Sequence, residues 1–256
     1  MEIVLLTALG VGGATVLGAL LGFLFRKTSQ KFNDAVLSFA AGVMLCASVV
    51  GLIVPSLEMN KNGNTIIKLI VTLSGIAVGA VSLNLIDKLV PHLHKLTGID
   101  PEAHPSKTSQ LNKVLLFVIA IAIHNLPEGI AAGVSFGSDN TAHALVIAGG
   151  IALQNIPEGM IIIAPMISSG VSKRRTFVIA LLTGLIEVIG TLVGYFAVSI
   201  SSVILPFALA FAGGTMLYVI SDEMIPETHL HGNQRLSTYA LLVGFGTMLA
   251  FDFILG

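Results

Sequence analysis

Eight long apolar runs constrain the fold of this chain more than any other feature of its sequence. Each run is close to or above the roughly 20 residues with which a helix crosses the hydrocarbon core of a bilayer. They lie near residues 3–25, 34–56, 66–88, 113–137, 143–168, 174–199, 203–222 and 237–256. The pattern predicts an all-α fold, a polytopic membrane bundle of eight transmembrane helices forming a single domain over residues 1–256.

The composition excludes several classes of protein. Only 11% of the residues are charged and 54% are hydrophobic, whereas a soluble domain averages about 25% charged residues. So few charges cannot cover a soluble globule, which excludes a soluble enzyme and a disordered chain. A net charge of −1 offers no basic surface to nucleic acid. One cysteine, Cys46, excludes a disulfide framework and a thiolate-only zinc cluster.

The connections between the runs predict the orientation of the bundle. Of the 13 lysines and arginines, 11 lie in or beside connections that follow odd-numbered runs. Positive charge is retained on the cytoplasmic side, so we expect those connections to be cytoplasmic and both termini to be outside. The longest connection, about 89–112, is polar and is predicted to be a cytoplasmic loop that contains His92 and His94. No basic segment precedes the first run, so we do not expect a cleaved signal peptide.

Polar side chains that are costly in a bilayer lie deep within three of the runs. In the fourth run, His124, Asn125 and Glu128 come 11, 12 and 15 residues after Lys113, which is roughly 17–23 Å along a helix. The fifth and sixth runs hold a similar set at the same depth: Gln154, Asn155, Glu158 and Glu187. No lysine or arginine lies at that depth to neutralise the three carboxylates, so a bound cation or protonation must do so.

The spacing of these residues favours a metal ion. His124 and Glu128 are four residues apart and share a helix face, and Gln154 and Glu158 repeat that geometry. Each asparagine lies one residue further on, rotated by about 100°, and can serve a second, adjacent site. Imidazole, carboxylate and carboxamide groups suit Zn²⁺ and similar divalent ions, and they do not exclude Cd²⁺, Fe²⁺ or Mn²⁺.

Helix-breaking residues and small residues add to this pattern. Pro127 and Pro157 each remove a backbone donor, and the freed carbonyls need a polar cavity or a cation. A packing kink is the alternative for a single proline, but its repetition within an Asn-x-Pro-Glu-Gly frame favours a site. Glycines in the first and sixth runs predict close helix packing, with a sliding surface as the alternative: Gly10, Gly12, Gly13, Gly18, Gly22, Gly184, Gly190 and Gly194.

The near-copies His124-Asn-Leu-Pro-Glu-Gly129 and Gln154-Asn-Ile-Pro-Glu-Gly159 resemble the signature of the ZIP (Zrt-, Irt-like protein) metal transporters. The similarity covers essentially the whole chain. Glutamine rather than histidine at position 154 resembles the bacterial GufA-like branch. Further matching segments are Phe39-Ala-Ala-Gly-Val-Met44, Phe211-Ala-Gly-Gly and Asp222-Glu-Met-Ile-Pro-Glu-Thr-His229, together with Glu187.

The resemblance implies import of divalent metal, chiefly Zn²⁺, into the cytoplasm of a bacterium across its inner membrane. It implies a binuclear site between spans four, five and six, elevator-like motion of spans one, four, five and six, and a homodimer. No cofactor is implied beyond the transported metal. By the match, the first metal site takes His124, Glu128, Gln154 and Glu158. The second takes Asn125, Asn155 and Glu187, with Glu128 and Glu158 as bridges, and it lacks one charge because Asn155 replaces the aspartate of other members.

Residues outside the central set are candidates for the metal's path. Those on the cytoplasmic side, where metal would be released, are Asp87, His92, His94, Glu223, Glu227, His229 and His231. Met44, Cys46 and Ser48 in the second run and Asp252 in the eighth are candidates on the outer side. The alternatives to these roles are a solvated loop, helix-end charge and ordinary apolar packing.

Two other functions use the same residues. A metal with an open coordination position activates water in an intramembrane metalloenzyme, although the zinc-protease motif HExxH is not in the sequence. An exporter or a metal/proton exchanger needs the same ligands, because a carboxylate site can exchange metal for protons.

Overall fold

The computed structural model describes residues 1–25, 29–59, 64–89, 123–138, 140–168 and 170–256. These residues form eight helices and no strand. In chain order the helices are α1 (Glu2–Leu24), α2 (Gln30–Glu58), α3 (Thr65–Leu89), α4 (123–135), α5 (Thr141–Ser168), α6 (Lys173–Ile200), α7 (Leu205–His229) and α8 (Gln234–Leu255).

Seven of these helices are long and apolar enough to cross a membrane, and of α4 only residues 123–135 are described. The predicted all-α polytopic bundle is therefore confirmed. The fourth predicted span begins near residue 113, and its first part lies outside the described residues. The seventh helix continues to His229, beyond the predicted end at 222, and therefore includes Asp222, Glu223 and Glu227. The orientation of the termini and the single-domain assignment stay predictions.

Apolar side chains cover the outside of the bundle. Leu6, Ile66, Leu73 and Phe253 are among many large hydrophobic residues that are more than half exposed. A soluble surface does not carry so many exposed apolar groups, so lipid is the environment that these faces require. Most polar residues of the predicted site are buried instead, and His124 and Glu158 are partly buried.

Close backbone contacts define two groups of helices. The first helix group is α1, α4, α5 and α6. Within it, a Cβ added to Gly12 of α1 or Gly133 of α4 would meet a backbone carbonyl of α6. The second helix group is α2, α3, α7 and α8, in which Gly42 of α2 meets a carbonyl of α8 and Gly79 of α3 meets one of α7. Small residues therefore bring the backbones together within each group.

Contacts between the two groups are of a different kind. Gly51 of α2 faces the side chain of Ile147 on α5, and Gly150 of α5 faces the side chain of Met248 on α8. Flexible side chains, rather than backbone, meet at these positions. The glycines of α1 that have close neighbours contact α5 and α6, which supports the packing interpretation and places these glycines within a group rather than at a surface between groups.

Helices α2 and α7 each contain a π-helical stretch just before a proline. The N–H of Val54 bonds the carbonyl of Val49, five residues back, at the end of Ala47–Ile53. The N–H of Ile225 bonds the carbonyl of Ile220 in the same way, at the end of Ile220–Met224. Pro55 and Pro226 follow, and local π geometry supplies partners for backbone groups near a proline in a membrane helix. By contrast, α5 continues as a helix through Pro157 and Pro165.

Candidate metal centre

Glu187 on α6 is the hub of a buried hydrogen-bond cluster. Its side chain is fully buried. Its Oε1 accepts hydrogen bonds from Thr15 Oγ1 of α1 at 2.5 Å and from Asn125 Nδ2 of α4. Its Oε2 accepts one from Asn155 Nδ2 of α5 at 2.6 Å. All four helices of the first helix group therefore meet at one carboxylate.

The last glycine of each sequence motif allows this meeting. A Cβ on Gly129 would clash with the backbone carbonyl of Glu187, and a Cβ on Gly159 would clash with that of Thr15. Only a residue without a side chain lets α4 reach α6 and α5 reach α1 at these points. The motif glycines thus place α4 against α6 and α5 against α1, the two helices whose side chains, Glu187 and Thr15, bond each other.

A second contact joins α4 to α5 directly. Gln154 Nε2 donates a hydrogen bond of 2.9 Å to Glu128 Oε1, and both side chains are almost fully buried. Glu158 and Glu187 are electrostatic neighbours of Glu128. Three carboxylates are therefore gathered in one buried region. Their hydrogen-bond partners there, among the described residues, are neutral amides and a hydroxyl, and His124, which is partly exposed, lies beside them.

Four buried oxygens in this region have no hydrogen-bond partner among the described residues. They are Glu128 Oε2, Gln154 Oε1, Asn155 Oδ1 and Glu158 Oε1. A buried acceptor without a partner costs about 1–3 kcal/mol, and more when it is charged. All four come from α4 and α5, and all are acceptors, so a cation satisfies them where a further acceptor does not. The donor set therefore fits a divalent metal ion.

His124 faces the second helix group. Its Nε2 lies 2.9 Å from Glu223 Oε1 and 2.7 Å from Glu223 Oε2 on α7, and its side chain is 25% exposed. It is also an electrostatic neighbour of Glu158. His124 therefore stands between the buried carboxylates and α7. Glu223 lies in the π-helical stretch of α7, which sets the direction of its side chain.

The structure brings the predicted ligands together unequally. Among the residues predicted for the second site, Asn125 and Asn155 each donate a hydrogen bond to Glu187. Among those predicted for the first site, Glu128 and Gln154 are in contact, whereas His124 contacts Glu223. In the part of the chain that is described, no three His, Cys, Asp or Glu side chains are grouped as a metal-binding set. Hydrogen bonds in this region join carboxamides to carboxylates.

The predicted path residues on the outer side are buried or paired. Met44 and Ser48 are fully buried, and the Ser48 hydroxyl bonds the Met44 carbonyl at 2.6 Å within its own helix. Asp252 Oδ1 of α8 lies 3.5 Å from His143 Nε2 at the start of α5. Asp252 is also an electrostatic neighbour of Cys46, so α2, α5 and α8 converge at this end.

The predicted release residues Glu223, His229 and His231 have separate partners. Glu223 contacts His124 of the central region. His229 Nδ1 lies 2.8 Å from the Ile225 carbonyl of its own helix, and His231 contacts Asp34. Glu227 is partly buried on α7. His92, His94 and the side chain of Asp87 lie outside the described residues.

Three residues that make contacts between helices were not predicted from the sequence: Thr15, Asp34 and His143. Thr15 could have been found, because it lies midway between Gly12 and Gly18 on the same helix face and is the polar residue of that face. Asp34 and His143 are helix-end residues whose partners come from distant parts of the chain, so sequence spacing carries no sign of them.

Comparison with known proteins decides the family. The sequence pattern of the ZIP zinc transporters matches residues 91–252. The chain belongs to the ZIP family. It is 39% identical to zinc transporter GufA of Myxococcus xanthus over 254 residues, 98% of each chain. It is 37% identical to zinc transporter ZIPB of Bordetella bronchiseptica over 95% of this chain and 78% of that one.

A third relative is zinc transporter ZupT of Chlorobaculum parvum, which is 35% identical over 93% of this chain and 91% of the relative. The predicted resemblance to the ZIP family and to its GufA-like branch is confirmed. Together with the apolar helices, these bacterial relatives support a multi-pass integral protein of a bacterial inner membrane.

Proposed function

We propose that this ZIP protein imports divalent metal, chiefly Zn²⁺, into the cytoplasm through the buried region between α4, α5 and α6. The observation that carries the proposal is the set of four buried oxygens without partners on α4 and α5. The relatives, which are named as zinc transporters, support zinc as the transported ion. Cd²⁺, Fe²⁺ and Mn²⁺ are further substrates that the ligand types permit.

The first metal site is formed by Glu128, Gln154 and Glu158, with His124 as the fourth ligand. Its two carboxylates balance the charge of one divalent ion. The free oxygens of these three residues are the atoms that the ion would bind. His124 completes the set when its imidazole leaves Glu223, so ligand exchange at His124 connects the buried site to α7. Glu223 is then the first residue of the release path.

The second metal site is formed by Asn125, Asn155 and Glu187, with Glu128 and Glu158 as bridging ligands. Both asparagines now direct Nδ2 at Glu187. Rotation of the Asn155 carboxamide would direct its unpartnered Oδ1 at an ion instead. Only one carboxylate belongs to this site alone, so it holds metal more weakly than the first.

The two kinds of helix contact support alternating access by an elevator-like motion. Backbone-to-backbone contacts within the first helix group make α1, α4, α5 and α6 one unit. Side-chain contacts between the groups can be exchanged at lower cost. The metal site lies inside the first helix group and would move with it.

Flux into proteoliposomes tests this function. We expect saturable uptake of Zn²⁺ by the purified protein and loss of that uptake in Glu158→Ala, because the first site loses a carboxylate. Glu58→Ala is the matched control, since Glu58 is an exposed glutamate at the end of α2. Uptake by Glu158→Ala equal to that of the control, at equal incorporation, would contradict the site. Parallel runs with Cd²⁺, Mn²⁺ and Fe²⁺ rank the ions.

The direction of zinc transport needs a separate experiment. An exporter or a metal/proton exchanger would use the same ligands, so cells that produce the protein are compared for accumulation and loss of zinc. Import predicts a higher zinc content and greater sensitivity to zinc. A lower content would favour the exporter. Hydrolytic turnover without flux would favour the intramembrane metalloenzyme, and the homodimer is tested by the mass of the purified particle.

A further inference from the structure

A second polar cluster lies where α2 begins and where α7 turns into α8. Asp34, on the first turns of α2, has a side chain that is 3% exposed. Asn233 Nδ2 donates to its Oδ2 at 2.8 Å. Its other oxygen, Oδ1, faces Gln30 and His231. None of these residues belongs to the central metal region described above.

Three atoms of this cluster form a nearly equilateral triangle. Gln30 Nε2 lies 3.0 Å from Asp34 Oδ1 and 3.1 Å from His231 Nδ1. His231 Nδ1 lies 3.1 Å from Asp34 Oδ1. The triangle joins the start of α2 to the turn between α7 and α8, about 200 positions apart in the chain.

Hydrogen bonds alone do not satisfy all three sides of this triangle. If His231 Nδ1 carries a proton, it donates to Asp34, but it then faces the donor Nε2 of Gln30. If Nδ1 carries no proton, it accepts from Gln30, but it then faces the acceptor oxygen of Asp34. Either tautomer leaves one repulsive contact. A rotation of the Gln30 carboxamide by 180° would present Oε1 at the same position and make all three atoms acceptors.

A cation satisfies three acceptors arranged in this way. An ion about 1 Å above the plane of the triangle would lie about 2.0 Å from each corner, which is the length of a Zn–N or Zn–O bond. Imidazole, carboxylate and carboxamide together favour first-row transition ions over Mg²⁺ and Ca²⁺. Asn233 holds the carboxylate in place from behind, as partners of metal ligands do.

We infer that Gln30, Asp34 and His231 form an exchangeable binding site for a divalent transition-metal ion at the α2 and α7–α8 end of the bundle. The His231 side chain is 34% exposed, so water completes the coordination and metal enters and leaves without a conformational change. The site is distinct from the transport site and does not depend on the direction of transport. The distribution of lysine and arginine predicts that it faces the cytoplasm.

Titration of the purified full-length protein with Co²⁺, followed by visible absorption and calorimetry, tests this inference. Asp34→Asn and His231→Gln are each expected to remove one bound equivalent or to weaken it by about tenfold or more. Gln30→His is expected to tighten the same equivalent, because an imidazole replaces a weaker carboxamide ligand. Zn²⁺ should displace the Co²⁺.

His229→Gln is the matched control, since His229 lies two residues away and its ring contacts its own helix. Circular dichroism and gel filtration confirm that each variant is folded. Unchanged Co²⁺ stoichiometry and affinity in folded Asp34→Asn and His231→Gln would overturn the site, as would an equal loss in His229→Gln. Should both loss variants fail to fold, Gln30→His decides: a tighter equivalent supports the site and an unchanged one refutes it.

Discussion

The two copies of the Asn-x-Pro-Glu-Gly motif, on α4 and α5, are alike in one half and different in the other. Asn125 and Asn155 make equivalent contacts, because each donates a hydrogen bond to one oxygen of Glu187. Gly129 and Gly159 also correspond, since each lets its helix touch the backbone of a neighbour. The shared part of the motif therefore assembles the first helix group around one carboxylate.

The first position of each copy breaks this symmetry. Gln154 is buried and bonds Glu128 within the first helix group. His124 is partly exposed and contacts Glu223 across the boundary with the second helix group. The two corresponding positions thus differ in their contacts: Gln154 lies within the first helix group, and His124 lies at its boundary with α7.

The largest effect should come from removing the shared hub. Glu187→Ala leaves the donors of Thr15, Asn125 and Asn155 without their acceptor, and hydrogen bonds between membrane helices each contribute about 1 kcal/mol. We expect Zn²⁺ flux at background level and a lower thermal unfolding midpoint. Glu187→Gln keeps the shape without the charge and should unfold closer to the wild type while still losing most of the flux. Wild-type flux in Glu187→Ala would show that the hub is dispensable.

Exchange of the first positions should have a smaller and asymmetric effect. His124→Gln removes the imidazole that contacts Glu223. It should lower Zn²⁺ flux by about tenfold or more, since even the loss of a group that only supports a metal ligand costs about 10–100-fold. Gln154→His adds an imidazole beside Glu128 and should retain flux while favouring Zn²⁺ in competition with Mn²⁺. Equal losses in the two variants, measured in the same proteoliposomes, would mean that the two positions are equivalent after all.

The smallest effect is expected at Thr15, which belongs to neither copy. Thr15→Val has nearly the same shape and removes one of three hydrogen bonds to Glu187. A loss of about 0.5–1 kcal/mol in stability should follow, with a smaller loss of flux than in His124→Gln because no proposed metal ligand is lost. Thr15→Ser restores the hydroxyl and serves as the control. A flux defect as large as that of Glu187→Ala would make Thr15 a functional residue.

Much of this architecture could be predicted because it is encoded locally. Hydrophobic runs located the membrane helices, and the repeated motif identified the polar residues of α4 and α5. Helical periodicity explains why Glu128 lies on the same face as His124. What could not be predicted depends on contacts between helices distant in the chain. Nothing in the spacing of α7 pairs Glu223 with His124, because the π-helical turn that directs Glu223 is a tertiary adjustment near Pro226.

Two further contacts could not be predicted for the same reason, because each joins residues that are distant in the chain. Asp34 and His231 are 197 positions apart; His231 is a candidate for the release path, but nothing in the sequence pairs it with Asp34. The bond between Thr15 and Glu187 spans 172 positions. The sequence shows which helix each of these residues lies on, but only the packing of the helices determines which of them are in contact.

The central claim, that the unpartnered oxygens of α4 and α5 bind the transported ion, is tested most directly by locating zinc in the folded protein. Anomalous diffraction at the zinc edge, on crystals of the wild type and of Glu158→Ala, gives the position without reference to activity. We predict an anomalous peak within bonding distance of Glu128, Gln154 and Glu158 in the wild type and its loss in the variant. A peak elsewhere in the membrane region, with these oxygens still free of metal, would contradict the account.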